Sequence, residues 1–261
     1  MLNRIDKKFR ELKRNRKKAF IAFLMAGDPS LRVTNDLIFE LEKSGADIIE
    51  LGIPFSDPLA DGPTIQRASE RALKNRINTD SVCNLVRNVR LKTDIPIVFL
   101  TYYNLVYQYG LERFVGKALS SGVDGVVIPD LPPEESDELR RIAKRRKFSI
   151  IHLIAPTSSS GRIKKIIDAS SGFIYYVSLT GTTGARKELP KEIIGSLRKI
   201  KRMSKKPICV GFGISKREQV RSISKSADGV IVGSAIIKVI EQNLGKKGLV
   251  KKVGDFVRKL K

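Results

Sequence analysis

The sequence holds no tryptophan, one histidine and two cysteines in 261 residues. Each scarcity excludes something. The lone His152 cannot build a histidine-rich metal centre, and Cys83 and Cys209 lie too far apart in sequence to supply paired zinc ligands. Both cysteines fall in apolar stretches of a chain with no secretory signal, which predicts free thiols in a reducing cytoplasm. His152 stands among Ile150, Ile151 and Leu153 and reads as a core residue. No apolar run approaches the ~18 residues of a membrane span. Acidic groups are also scarce: 27 aspartates and glutamates face 50 lysines and arginines, a formal charge of +23. Such an excess can attract nucleic acid, anionic membrane or an anionic substrate. The basic residues, however, spread along expected helix faces, as at Arg140-Arg141 and Lys144-Arg145-Arg146-Lys147, and no aromatics interleave with them as a base-stacking surface requires. They read as solvated faces, and nucleic acid is not an expected partner. The size of the excess has no physical account in the sequence.

What is present is alternation. Short β-branched runs at residues 19–24, 47–51, 96–101, 125–128, 149–154, 172–177, 207–210 and 229–232 read as strands buried on both faces. Amphipathic stretches such as 31–44, 64–74, 111–121, 134–147 and 216–225 read as helices between them. That is about eight β–α units, the number that closes a (β/α)₈ TIM barrel. A doubly wound open sheet is the competing α/β architecture. Extra helices are expected at the N-terminus and at 80–91, before the third strand, and an amphipathic last helix at 248–260. With 41% hydrophobic residues and no linker or composition break, residues 1–261 read as one domain.

The chemistry-bearing residues gather where strands end. Gly211-Phe212-Gly213-Ile214-Ser215 follows the seventh strand and Gly233-Ser234 the eighth, the habitual phosphate corner of a barrel. Glycines admit an anion close to backbone N–H groups, and helix starts add a favourable dipole. Gly181-Thr182-Thr183-Gly184 after the sixth strand can close from the other side. Glu50 interrupts an apolar strand near its C-terminal end, and desolvation there would raise its pKa toward acid–base use. The alternative is a structural glutamate paired with a basic neighbour. Asp61, beyond it in Ala60-Asp61-Gly62-Pro63, is either a helix cap or the second carboxylate of an acid–base pair. Asp57 reads as a turn residue or a partner contact, and Asp130 as a folding residue or a substrate contact. Tyr102 and Tyr175 could bring hydroxyls to the mouth or simply pack. No lysine ends a strand, so Schiff-base chemistry is not expected. No motif calls for a nicotinamide, flavin or other cofactor.

The stretch Ile49-Glu50-Leu51-Gly52-Ile53-Pro54-Phe55-Ser56-Asp57-Pro58-Leu59-Ala60-Asp61-Gly62-Pro63 resembles the signature of one family, the α subunit of tryptophan synthase. Ala26-Gly27-Asp28-Pro29, Thr101-Tyr102-Tyr103-Asn104, Pro129-Asp130-Leu131-Pro132, Thr180–Arg186 and Gly211–Ser215 are similar segments in the family's order. The resemblance implies cofactor-free retro-aldol cleavage of indole-3-glycerol phosphate to indole and glyceraldehyde 3-phosphate. By it, Glu50 is the acid–base residue and Asp61 accepts the indole N–H. Tyr175, Tyr102 and Thr183 contact substrate, with apolar walls from Phe23, Ile65, Leu100, Val127 and Phe212. Gly184, Gly213, Gly233 and Ser234 hold the phosphate, and residues 180–189 form a lid. It also implies a pyridoxal-phosphate β subunit as partner in an α2β2 complex, touching residues 54–58 and receiving the indole. Two rival readings remain open: another phosphate-binding barrel such as an isomerase, and a basic nucleic-acid-binding scaffold without chemistry. The basic segments at residues 7–18 and 246–261 depart from the expected surface.

Overall fold

The computed structural model describes residues 3–177, 191–211 and 213–261. Nine parallel strands follow one another as β1 (Ala19–Met25), β2 (Ile48–Gly52), β3 (Ile97–Leu100), β4 (Gly125–Val127), β5 (Ser149–Ile151), β6 (Leu153–Ile154), β7 (Ile174–Val177), β8 (Ile208–Gly211) and β9 (Gly229–Val232). Their order in the sheet is β5-β4-β3-β2-β1-β9-β8-β7-β6. The two ends of that order, β5 and β6, are separated in the chain by His152 alone. The single strand expected at 149–154 therefore works as two halves, one pairing β4 and the other β7, and the sheet curls into a barrel. The His152 carbonyl accepts the Tyr175 amide at 3.2 Å across this join.

Parallel neighbours need helical crossovers, and these cover the outside of the sheet. β1, β2, β4, β5, β8 and β9 are accordingly buried at every position. Helix bounds follow local signals. Asn78 and Ser81 form a capping box that starts the extra helix Thr79–Val89. The helix expected from residue 134 begins at Asp137 instead, because Glu134 is taken up by an ion pair with Arg162 and Ser136 bonds back to the Pro133 carbonyl. Helices Tyr103–Tyr109, Ser160–Ala169, Lys191–Met203 and Ser234–Gln242 complete the crossovers, and Leu249–Leu260 is the last helix.

The barrel's lower end is closed by the helix Arg4–Arg14. Asn3 caps it through the Asp6 amide at 3.0 Å, and Ile5, Phe9 and Leu12 recur on one face. They pack under an inward layer of Ile21, Ile48, Val98, Val127, Ile151, Cys209 and Ile231. Val127 thus belongs to this lower layer and not to the expected apolar wall around a ligand. With the bottom filled, the open end lies where the strands finish.

Candidate active site

Glu50 sits one inward position above Ile48 on β2, in register with Phe23 of β1 and Val98 of β3. It is 2% exposed, and its Oε1 has no hydrogen-bond partner. The structural reading of this glutamate required a basic neighbour, and none pairs with it among the described residues. Burial first, and then the negative charge of Asp61, push its carboxyl up to about 8.

Asp61 reaches the same space from the loop after β2. The helix Pro63–Lys74 is entered at Gly62 with no side-chain cap bond, so Asp61 does not serve as its cap. The loop is held by backbone: the Asp61 carbonyl accepts Gln66 Nε2 at 2.9 Å. Burial raises the Asp61 carboxyl to about 6, against a hydrogen bond from Tyr102 that favours its ionised form. The Tyr102 hydroxyl also accepts the Ala60 amide at 3.1 Å, while its ring stacks on Phe55 at 5.2 Å. Tyr102, expected to contact substrate, bonds instead to the loop that carries Asp61 and is not among the residues lining the cavity. Tyr175 points in from β7 beside Gly211 of β8. A Cβ at 211 would lie 2.6 Å from the tyrosine ring, so glycine is what lets Tyr175 occupy its place.

Glu50, Asp61 and Tyr175 line a cavity of about 680 Å³, a size suited to a small ligand. Phe23, Ile65 and Leu100 form its apolar side, while Gly213, Gly233 and Ser234 line the opposite corner. Gly213 has φ +31°, a backbone region where a side chain is strained. Ser234 opens the helix Ser234–Gln242, so the first turn of that helix starts at this corner, and helix starts carry N–H groups without intrahelical partners. Thr183, Gly184 and Phe212, and the lid expected at 180–189, lie outside the described residues.

Sequence reasoning missed several lining residues. Lys216 follows the glycine loop, and Lys238 lies one helical turn beyond Ser234. Both spacings were legible as cations beside a glycine loop and a helix start. Phe256, from the last helix, also reaches the cavity, and nothing local marked it. Asp130 is not among the residues lining the cavity: its carboxylate accepts the Tyr103 amide at 2.9 and 3.1 Å, and the residue is exposed. Asp57 takes the Ser56 hydroxyl, a turn contact. His152 is buried as expected, with burial pushing it down to about 4. Larger clefts of about 930 and 850 Å³ flank the N-terminal helix at the closed end, away from both carboxylates. Among the described residues no group of three or more histidines, cysteines or carboxylates could hold a metal ion, and no helix is long and apolar enough to cross a membrane.

The family model described as tryptophan synthase alpha chain matches residues 9–261. A tryptophan synthase alpha chain of Geotalea daltonii is 49% identical over 260 residues, covering 100% of this chain and 98% of its own. One of Methanocaldococcus jannaschii is 46% identical over 257 residues, covering 98% and 91%. The solved tryptophan synthase subunit alpha of Legionella pneumophila superposes with a TM-score of 0.92 at 41% identity, covering 100% of this chain and 97% of that one. A structure of the tryptophan synthase α2β2 complex from Pyrococcus furiosus matches with a TM-score of 0.88 at 42% identity, over 93% and 97%.

Proposed function

The chain belongs to the tryptophan synthase α chain family, and on that premise we propose that Glu50 and Asp61 carry out its chemistry. The reaction is the retro-aldol cleavage of indole-3-glycerol phosphate to indole and glyceraldehyde 3-phosphate, a carbon–carbon lyase step, and the indole passes to a β subunit. The observation that carries the residue assignment is the buried, unpartnered Glu50 oxygen beside a second carboxylate in one cavity.

Glu50, protonated at neutral pH, gives its proton to the indole ring carbon that bears the side chain. The ring nitrogen becomes cationic, and Asp61, already ionised, accepts its N–H more strongly than in the ground state. The Glu50 carboxylate then takes the proton of the side chain's hydroxyl nearest the ring. The carbon–carbon bond breaks, its electron pair restores the indole, and the hydroxyl carbon becomes the aldehyde. Protons balance, and each acid–base contribution is on the order of 10²–10⁴ in rate. Tyr175, Phe23, Ile65 and Leu100 orient the ring, while Gly213, Gly233 and Ser234 hold the phosphate. Gly184 for the phosphate, and Thr183 and Phe212 for the substrate, are assigned on the family motif alone. Reduced, unpaired Cys83 and Cys209 fit a cytoplasmic setting.

The test is indole release from indole-3-glycerol phosphate by the full chain, with and without a β subunit, beside E50Q and D61N. Release by the parent chain and at least a 100-fold loss in E50Q is expected. Equal release by E50Q removes Glu50 from the chemistry.

A further inference from the structure

The motif Ala26-Gly27-Asp28-Pro29 contributes nothing to the cavity wall, yet Asp28 has no exposed side-chain surface. A charge so buried needs a strong partner. Arg71 supplies it with two parallel bonds, Nε to Oδ1 at 2.7 Å and Nη2 to Oδ2 at 2.9 Å. The remaining Nη1 of Arg71 donates to Glu241 at 3.0 Å. Arg67, one turn earlier on the same helix face, grips Glu241 with bonds of 2.7 and 2.9 Å.

Four charges thus join three elements: the loop after β1, the helix Pro63–Lys74 and the helix Ser234–Gln242. The two helices pack against each other. Their starts face the cavity at different places. Pro63–Lys74 begins beside Asp61 and lends Ile65 to the apolar side, and Ser234–Gln242 begins with Ser234 in the phosphate corner. The network holds both near their far ends. Its base is itself fixed: Asn75 donates to the Gly27 and Pro29 carbonyls at 3.2 and 2.7 Å, and a Cβ at Gly27 would collide with Ile77.

We infer that Arg71, bridging Asp28 and Glu241, is a positioning residue that sets the spacing between the carboxylate end and the phosphate end of the cavity. This role rests on the proposed reaction, whose substrate spans both ends as one short molecule. A ligand of fixed length gains from both contacts only when their separation matches it, and small displacements cost large factors in rate. A lysine at 71 could not substitute, since it lacks the planar fork.

The variant E241Q keeps the buried Asp28–Arg71 pair and removes the charge that ties the second helix to it. Three probes separate positioning from general loosening: indole, glycerol 3-phosphate and a non-cleavable indolyl-propyl phosphate that spans both ends. E241Q should bind each short probe within about twofold of the parent chain. The spanning ligand and kcat/KM for cleavage should each fall by about tenfold or more. R71K should repeat that pattern. Loss of all three ligands together, or unchanged binding of the spanning one, overturns the inference. Should the parent chain bind the spanning ligand without cleaving the substrate, the proposed reaction fails, and the binding ratios still decide the positioning role.

Discussion

At the scale of single residues, two carboxyl groups in one cavity are driven to different protonation states by their surroundings. Glu50 has burial and a like charge acting together, and stands at about 8; Asp61 keeps a hydrogen bond from Tyr102 and stands at about 6. Between those values Glu50 holds a proton to give while Asp61 holds a charge to offer, which is the pairing the proposed cleavage needs. A profile of kcat/KM from pH 5 to 9 should therefore be bell-shaped, with an acid limb near 6 and an alkaline limb near 8. The two limbs belong to the coupled pair. D61N should lose the acid limb, and a flat profile in the parent chain would contradict the assignment. The same burial affects folding. Because the folded carboxyl of Glu50 lies above its ordinary value of 4.5, its contribution to stability is full below about 4.5 and is lost as pH rises through about 8. E50Q carries no such group. Its thermal midpoint should match the parent chain near pH 5 and exceed it near pH 9. The difference should reach a few kcal/mol, since each pH unit between the folded and unfolded titrations is worth about 1.4 kcal/mol. Calorimetry at the two pH values checks the sign. Both carboxylates were legible in the sequence because a charge in an apolar strand and a second one just past its end are local patterns. Whether Asp61 capped a helix was not, since that depended on Gly62 entering the helix without a side-chain bond.

At the scale of elements, the strands were readable because both faces are buried, giving apolar runs without alternation. The break at His152 was not readable, because it comes from each half of one stretch pairing a different neighbour. Nor was the use of the basic N-terminal helix, which lies in three apolar residues meeting a barrel bottom contributed by the whole sheet. That helix separates stability from catalysis. Phe9 packs 5.8 Å from the Phe173 ring beneath the lower barrel layer, at the end away from Glu50. Truncation by F9A should cost about 3 kcal/mol or more in urea unfolding, through lost burial and the cavity left behind. Its kcat/KM at a temperature where it stays folded should remain within about twofold of the parent chain, because Phe9 is not among the residues lining the upper cavity. A stable F9A would show that the plug contributes little to folding, and a folded one that has lost turnover would show that the plug is coupled to the site.

At the scale of the whole molecule, the excess of 50 basic over 27 acidic residues leaves a positive field that the substrate's phosphate must feel. The sequence showed the excess but not where it acts, since scattered lysines gain meaning only through the surface they share. Two of them, Lys216 and Lys238, line the cavity together with Gly213, Gly233 and Ser234, the residues proposed to hold the phosphate. Others, such as Lys7 and Lys144, border the clefts at the closed end. Screening separates the two contributions, because the Debye length shrinks from about 30 Å at 0.01 M salt to about 8 Å at 0.15 M. Kinetics of cleavage across that range should show KM rising while kcat changes little, the mark of binding and steering rather than chemistry. K238A should raise KM several-fold at low salt and flatten its salt dependence, since it removes a cation at the cavity itself. A paired K7A/K144A variant loses two positive charges where K238A loses one, but removes them from the far end. If the general field dominates, the paired variant should weaken binding at least as much as K238A. The cavity geometry favours the opposite result, with K238A acting alone and the paired variant indistinguishable from the parent chain at 0.15 M salt.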